Sequence, residues 1–246
     1  MKLLTLDIET SPLLVYTWGL WKQDIGINQI VEDTRVLSWS AKWHDEKRVR
    51  FASEFHDGTV DMLGELHDLI DHSDAVVHWN GQTFDMPHLR REFEQHDLGQ
   101  VAPVQQIDLM RVTKANFRFP SYKLDYVARR LGVGGKVSHT GFALWRDCLQ
   151  GDEKAWALMR KYNIGDTAIT DGVLGKLLPY VKNVNAALHR NDENCPNPDC
   201  GSDHYQQRGY AYTGAQKYPR FQCQDCGRWW RGKQAVPTAS PARSIA

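Results

Sequence analysis

The period of the apolar residues changes along this chain, and the order of the changes constrains the fold more than any other feature. Residues 3–8 (LLTLDI), 35–43 (RVLSWSAKW), 49–54 (VRFASE) and 75–79 (AVVHW) combine β-branched and aromatic residues with partial alternation, the pattern of strands. Helical spacing appears in DMLGELHDLI, PHLRREFEQH and KLDYVARRLG, and over a longer span in EKAWALMRKYNIGDTAITDGVLGKLLPYV. Strands come first, and strands then alternate with helices. That order predicts an α/β chain, a mixed sheet with helices packed on it.

The apolar periodicity gives out in NVNAALHRNDEN, residues 183–194. A domain over 1–184, a linker over 185–194, a cysteine-rich segment over 195–232 and a disordered tail over 233–246 (KQAVPTASPARSIA) are expected. A length of 246 residues accommodates a sizeable core and a small appendage. Lysine plus arginine and aspartate plus glutamate both number 30, so no global attraction to nucleic acid exists and any polyanionic partner must be met by a local patch. MKLLTLDIET has too short an apolar run for a secretion signal, and nowhere do eighteen apolar residues run together. A cytoplasmic protein with no membrane partner is expected.

Three groups of acids stand out. Asp7 and Glu9 lie two apart in the first strand, so both leave one face while Leu4, Leu6 and Ile8 line the other. Two like charges so placed call for a divalent cation or for a solvated strand end. Asp85 follows the turn at Asn80–Gly81 and opens a helix with Pro87 near its start, a position the helix dipole favours for an acid whether or not a metal is there. Tyr162 and Asp166 sit one turn apart on the last long helix. Gly165 between them costs about 1 kcal/mol relative to alanine, which close packing against that turn would explain. Asp108 and Asp171 compete for the same roles, but Asp171 is roughly 140° around the helix from Asp166. His78, His88 and His139 have no partners at a metal-binding spacing and are expected to be structural or exposed.

Together these residues resemble the DEDD family of 3′ to 5′ exonucleases: D-x-E at Asp7–Glu9, an asparagine and aromatic-Asp at Asn80 and Phe84–Asp85, and Y-x-x-x-D at Tyr162–Asp166. With tyrosine at 162 the chain resembles the tyrosine branch, and SYKLDYVARRLG is similar to a segment in the exonuclease domains of family B DNA polymerases. The resemblance covers about residues 1–182 and implies a ribonuclease H-like fold and two Mg²⁺ or Mn²⁺ ions. It implies that Asp7 bridges the two ions, that Glu9 and Asp166 help hold the ion carrying the nucleophilic water, and that Asp85 supports the other through water. Tyr162 then orients that water, because a phenol with a pKa near 10 is a poor base at neutral pH. Asn80 is a candidate contact for the 3′-terminal nucleotide, and Phe84 packs either the site or the core. The implied substrate is a single-stranded or frayed DNA 3′ end, with RNA as the alternative and a separate polymerase or replication protein as a candidate partner.

CPNPDCGS and CQDCGRWW place Cys195 and Cys200 in C-x4-C and Cys223 and Cys226 in C-x2-C. Four thiolates in two turn-forming pairs suit a structural, tetrahedral Zn²⁺, as in the zinc ribbons this segment resembles; two disulfides are the alternative. Cys148 is expected to be a small buried hydrophobe. Residues 185–246 hold eight Lys or Arg against five Asp or Glu, formally +3, with Tyr205, Tyr210, Tyr212, Tyr218, Phe221, Trp229 and Trp230 interleaved among Arg220, Arg228 and Arg231. Aromatic faces can stack bases while arginines meet phosphates. A nucleic-acid grip is expected, with Arg228 and Trp230 as its contacts; the alternative is that the rings, Trp229 first among them, form the segment's small core.

Overall fold

Alternation in the first strand sets the main sheet. In a computed structural model that describes residues 1–135, 138, 140–182, 184–213 and 216–237, β1 (Leu3–Thr10) is the central strand. A short ribbon of β2 (Leu14–Val15) and β3 (Ile30–Glu32) follows, then β4 (Val36–Trp43) and β5 (Arg50–Ser53). Next come α1 (Glu54–Asp57), α2 (Thr59–Asp71), β6 (Ala75–His78), α3 (Asp85–Gln95) and β7 (Gln105–Asp108). Four helices close the unit: α4 (Leu109–Asn116), α5 (Leu124–Arg130), α6 (Phe142–Leu149) and α7 (Glu153–Leu177). The sheet runs β5-β4-β1-β6-β7, with β1 antiparallel to β4 and parallel to β6, so it is mixed as expected. His139 lies outside the described residues.

The two faces of β1 have different chemistry. Leu4, Leu6 and Ile8 join Trp39 and Ala41 of β4 and pack against Met62, Leu63 and Leu66 of α2 and Met86, Leu89 and Phe93 of α3. The Trp39 indole is fully buried and donates to the Met62 carbonyl at 2.7 Å. On the opposite face, register pairs Asp7 with Ser40 and Glu9 with Ser38. These small hydroxyls let the α7 backbone come close. Ser40 donates to the Asn163 carbonyl at 2.8 Å and meets the Thr167 hydroxyl at 2.6 Å, while Ser38 donates to the Asn163 side chain at 3.2 Å. Further along, Leu37, Trp156, Met159 and Leu144 of α6 form a second apolar cluster that includes the buried Cys148.

Between β1 and β4 the chain leaves the core. Residues 13–31 form an arm around the β2–β3 ribbon that exposes Tyr16, Trp18, Leu20, Trp21 and Ile27, with Trp18 at 99 %. The sequence pattern had left this arm and β7 without an element.

A second compact unit begins at Leu177, and the first spans Lys2–Lys176. The expected linker is therefore part of a folded unit. Its residues form α8 (Ala186–Arg190), and Ala186 donates its N–H to the Pro196 carbonyl at 3.0 Å. Three antiparallel strands follow, β8 (Tyr205–Tyr212), β9 (Lys217–Cys223) and β10 (Trp229–Arg231), with β9 central. The start of the expected disordered tail is also paired, since Val236 donates to the Lys217 carbonyl at 2.7 Å; residues 238–246 lie outside the described residues.

Two expectations for this unit are corrected. Arg228 is no nucleic-acid contact: it is 5 % exposed and donates to the carbonyls of Leu178, Val181 and Val184, the last two at 2.9 Å. A guanidinium offers several donors in a rigid fork, which lets one side chain satisfy three carbonyls of an irregular segment. Trp230 is half-buried and faces inward, packed 5.1 Å from Tyr205 and 5.8 Å from Phe221 between ring centroids, whereas Trp229 is 45 % exposed under the Arg220 guanidinium. Arg228→Ala should strand those carbonyls and destabilise this unit by about 3 kcal/mol, and Arg228→Lys should not restore it, because one ammonium cannot meet all three. Hydrogen exchange over residues 177–237 checks this, and wild-type protection in either variant would refute the staple.

Candidate functional site

β1 presents Asp7 and Glu9 to the face under α7, and α7 returns Asp166 to the same place. One carboxylate oxygen from each of the three lies within 4.8 Å of the other two. Asn163, on the same face of α7, donates its amide to the Asp7 carboxylate at 2.7 Å and to the Asp7 carbonyl at 3.3 Å. Sequence reasoning passed over Asn163. The signal was available in the spacing of Asn163, Asp166, Thr167 and Thr170, which make a polar stripe at helical period, and all four are buried.

Tyr162 stands beside this group, its ring edge-on to Trp145 with centroids 6.1 Å apart. Burial first, and then the charges of Asp166, Glu9 and Asp7, push its phenol far above the ordinary value, and it is hydrogen-bonded to Asp166. It therefore stays protonated and acts as a donor.

Asp85 does not belong to the three-acid group. It opens α3, is 4 % exposed, and its Oδ1 accepts the N–H of Ile8 at 3.2 Å, on the strand residue between Asp7 and Glu9. Burial pushes its carboxyl up to about 7, Asp108 adds to this, and the N–H groups of Asp85 and Ile8 oppose it. Gly81 makes that placement possible. A Cβ there would lie 2.5 Å from the His78 ring and 2.9 Å from the Asp85 carboxylate.

The neighbouring candidates resolve by their partners. Asn80 adopts a left-handed φ of 67°, its side chain accepts the Thr83 hydroxyl at 3.0 Å, and its N–H donates to Asp108 at 3.1 Å. Phe84 is 42 % exposed and packs on His88, so its alternative role in the core is excluded. Asp108 caps α4, accepting the N–H groups of Met110 and Arg111. Fully buried His78 accepts the Gly81 N–H through Nδ1, and burial holds its pKa down against the pull of Asp108. Asp171 is paired with Lys42 at 2.5 Å and His44 at 2.7 Å; burial would raise its pKa, but these bonds outweigh burial and lower it.

Three carboxylates are hard oxygen donors of the kind Mg²⁺ and Mn²⁺ take, so the residues fit such ions. The cysteines fit a different metal. Cys195, Cys200, Cys223 and Cys226 are free thiols whose sulfurs lie within 4.8 Å of one another, with Cys195–Cys226 at 3.5 Å and Cys200–Cys223 at 3.7 Å. A tetrahedron with Zn–S bonds of about 2.3 Å has edges of about 3.8 Å. Burial raises the Cys226 pKa, yet the Arg228 N–H, Asn197 and the thiols of Cys195 and Cys200 outweigh it and bring this thiol down to about 7.

Residues 4–178 match the sequence pattern of the RNase H superfamily, and the chain belongs to that superfamily. Among solved structures it is similar to the family B DNA polymerase from the hyperthermophilic archaeon Pyrobaculum calidifontis, with a TM-score of 0.57 and 18 % identity over 72 % of this chain. The chain spans 24 % of that polymerase. A search of curated protein sequences returned no match.

Two outcomes follow from these geometries. Because the folded-state pKa of Asp85 lies above its unfolded value, metal-free protein should lose stability as pH rises from about 4 to about 7 and then level off, by at most about 4 kcal/mol. Asp85→Asn should remove that slope and unfold later than wild type at pH 8 in chelator; equal midpoints at pH 8 would contradict it. The protein should also carry one Zn²⁺ per chain, and Co²⁺ substitution should give the absorption of four-sulfur tetrahedral coordination.

Proposed function

We propose that the Lys2–Lys176 unit is a metal-dependent 3′ to 5′ exonuclease of the tyrosine branch of the DEDD family, acting on single-stranded or frayed DNA ends. The observation that carries this is the convergence of Asp7, Glu9 and Asp166 within 4.8 Å, beside a tyrosine bonded to Asp166, on an RNase H superfamily fold. The likeness to a DNA polymerase supports DNA, and the superfamily's name supports RNA as the second reading.

Divalent ions held by these acids would stabilise charge on the entering and leaving oxygens and lower the pKa of water. The chain's own residues do the positioning. Asn163 fixes the Asp7 rotamer from one side and is itself held by Ser38 and by its backbone bond to Ser40. Tyr162, kept protonated with its O–H on Asp166, can accept from and so aim a water next to that carboxylate. Asp85 supports the site through its bond to Ile8 of β1, where its negative charge becomes favourable once a cation is near. Asn80 and Phe84 remain candidates for the terminal nucleotide. In the second unit, Zn²⁺ on the four cysteines would be structural, in the manner of a zinc ribbon. A cytoplasmic setting and a polymerase or replication protein as partner complete the reading.

The test is a digest of DNA and RNA oligonucleotides of matched sequence, labelled at the 5′ end, with Mg²⁺, Mn²⁺ or EDTA. A ladder shortening from the 3′ end is expected, lost in EDTA and reduced about a thousandfold or more in Asp7→Ala. Tyr162→Phe should slow it by about ten- to a hundredfold with little change in KM. Cleavage that persists in Asp7→Ala would overturn the assignment.

A further inference from the structure

The three-stranded sheet of the C-terminal unit has two unlike faces. Register sets Trp229 opposite Gln222, Trp230 opposite Phe221 and Arg231 opposite Arg220. Tyr218, Arg220, Trp229 and Arg231 therefore share one face, while Phe221, Cys223 and Trp230 share the other. The second face is the packed one, where Tyr205, Phe221 and Trp230 meet and Asp192 and Glu193 border a cavity of about 290 Å³.

The first face is open and carries one sign of charge. Arg208, Arg220 and Arg231 lie on it, and β8, β9 and β10 contain no aspartate or glutamate. Arg220 and Arg231 are direct cross-strand partners, an arrangement that costs stability and that folding alone does not explain. Each guanidinium is held over a ring, Arg220 over Trp229 at 4.9 Å and Arg231 over Tyr218 at 4.4 Å. Arg208 joins them on this face, donating to Gln222 at 2.8 Å. Beside the stripe lies a recess of about 670 Å³ into which Lys182, Arg231 and Lys233 contribute, again without a carboxylate among its lining residues.

We infer that this face binds single-stranded nucleic acid, with Arg208, Arg220 and Arg231 meeting phosphates and Trp229, Tyr218 and the flat guanidiniums stacking on bases. The inference deepens the exonuclease reading, since the strand held here would be that enzyme's substrate, but it stands on the chemistry of this sheet. Cations alone would serve an acidic peptide equally well; cations held over aromatic rings join phosphate donors to ring planes on which unpaired bases stack. A duplex keeps its bases stacked on each other and would leave those planes idle.

The experiment measures fluorescence anisotropy of 5′-labelled dT and rU dodecamers against the full chain carrying Asp7→Ala, without added divalent metal, from low to moderate salt. Arg220→Ala/Arg231→Ala should weaken binding about tenfold or more and flatten the slope of log affinity against log salt by about 1.4, at about 0.7 per phosphate contact on a single strand. Trp229→Ala should weaken it about five- to hundredfold with the slope unchanged. Arg220→Lys/Arg231→Lys should keep the slope and still lose affinity, and because all these positions are exposed the variants should retain their zinc. Unchanged affinity and slope in the arginine-to-alanine pair would overturn the inference. So would an equal loss in the control pair Lys47→Ala/Arg48→Ala, or displacement of the dodecamer by polyglutamate at equal charge. The oligonucleotide digest is separate: a missing ladder with these effects intact would refute the nuclease and leave the binding face standing.

Discussion

Three carboxylates held within 4.8 Å of one another are the constraint around which the larger unit is arranged. At an effective dielectric of 20, each ionised pair repels by about 3 kcal/mol, so nothing gathers these groups except the framework that carries them. Strand alternation fixes Asp7 and Glu9 on one face, and Asp166 arrives on a different element. The burden falls on whatever keeps α7 in register with β1. That is a run of small polar contacts: Ser38 and Ser40 to Asn163, Ser40 to Thr167, and Lys42 to Asp171. An apolar interface would let the helix slide or rotate at little cost. Hydrogen bonds of fixed geometry do not, because each one broken leaves a buried polar group unsatisfied.

The second unit solves a comparable problem with soft ligands. Its four sulfurs are brought together by two turns, Asn197–Gly201 and Cys223–Gly227, the latter closed by the Gly227 N–H on the Cys223 carbonyl. Arg228, immediately beyond, then binds the carbonyls of Leu178, Val181 and Val184. The sulfur cluster and the irregular segment that opens this unit are thus joined through a single side chain.

Much of this could be read from the chain before any coordinates. β1, β4, β5 and β6 and the helices α2, α3, α5 and α7 all fall where periodicity puts them, and Asp7, Glu9, Asp166 and Tyr162 do come together. Elements without periodicity were missed. β7 is four residues, QQID, too short and too polar to show alternation, and the arm has apolar residues that face water, so pattern and burial disagree there. Asp85 opens α3 as the sequence places it, yet it stands apart from the three converging acids, because spacing in sequence says nothing about how far a buried carboxylate reaches. Trp229 and Trp230 were confused for a simple reason. Neighbours on a strand point to opposite faces, and which face is inward depends on a register that composition does not reveal.

The arm has a colloidal consequence. Trp18, Trp21, Leu20 and Ile27 contribute almost nothing to the interior, and the formal charge of the whole chain at pH 7 is zero. Copies of a protein in that condition have no long-range repulsion to keep them apart. Near neutrality, sticky collisions would begin at the arm, and moving the pH away from that balance would disperse them without altering a single contact inside either unit.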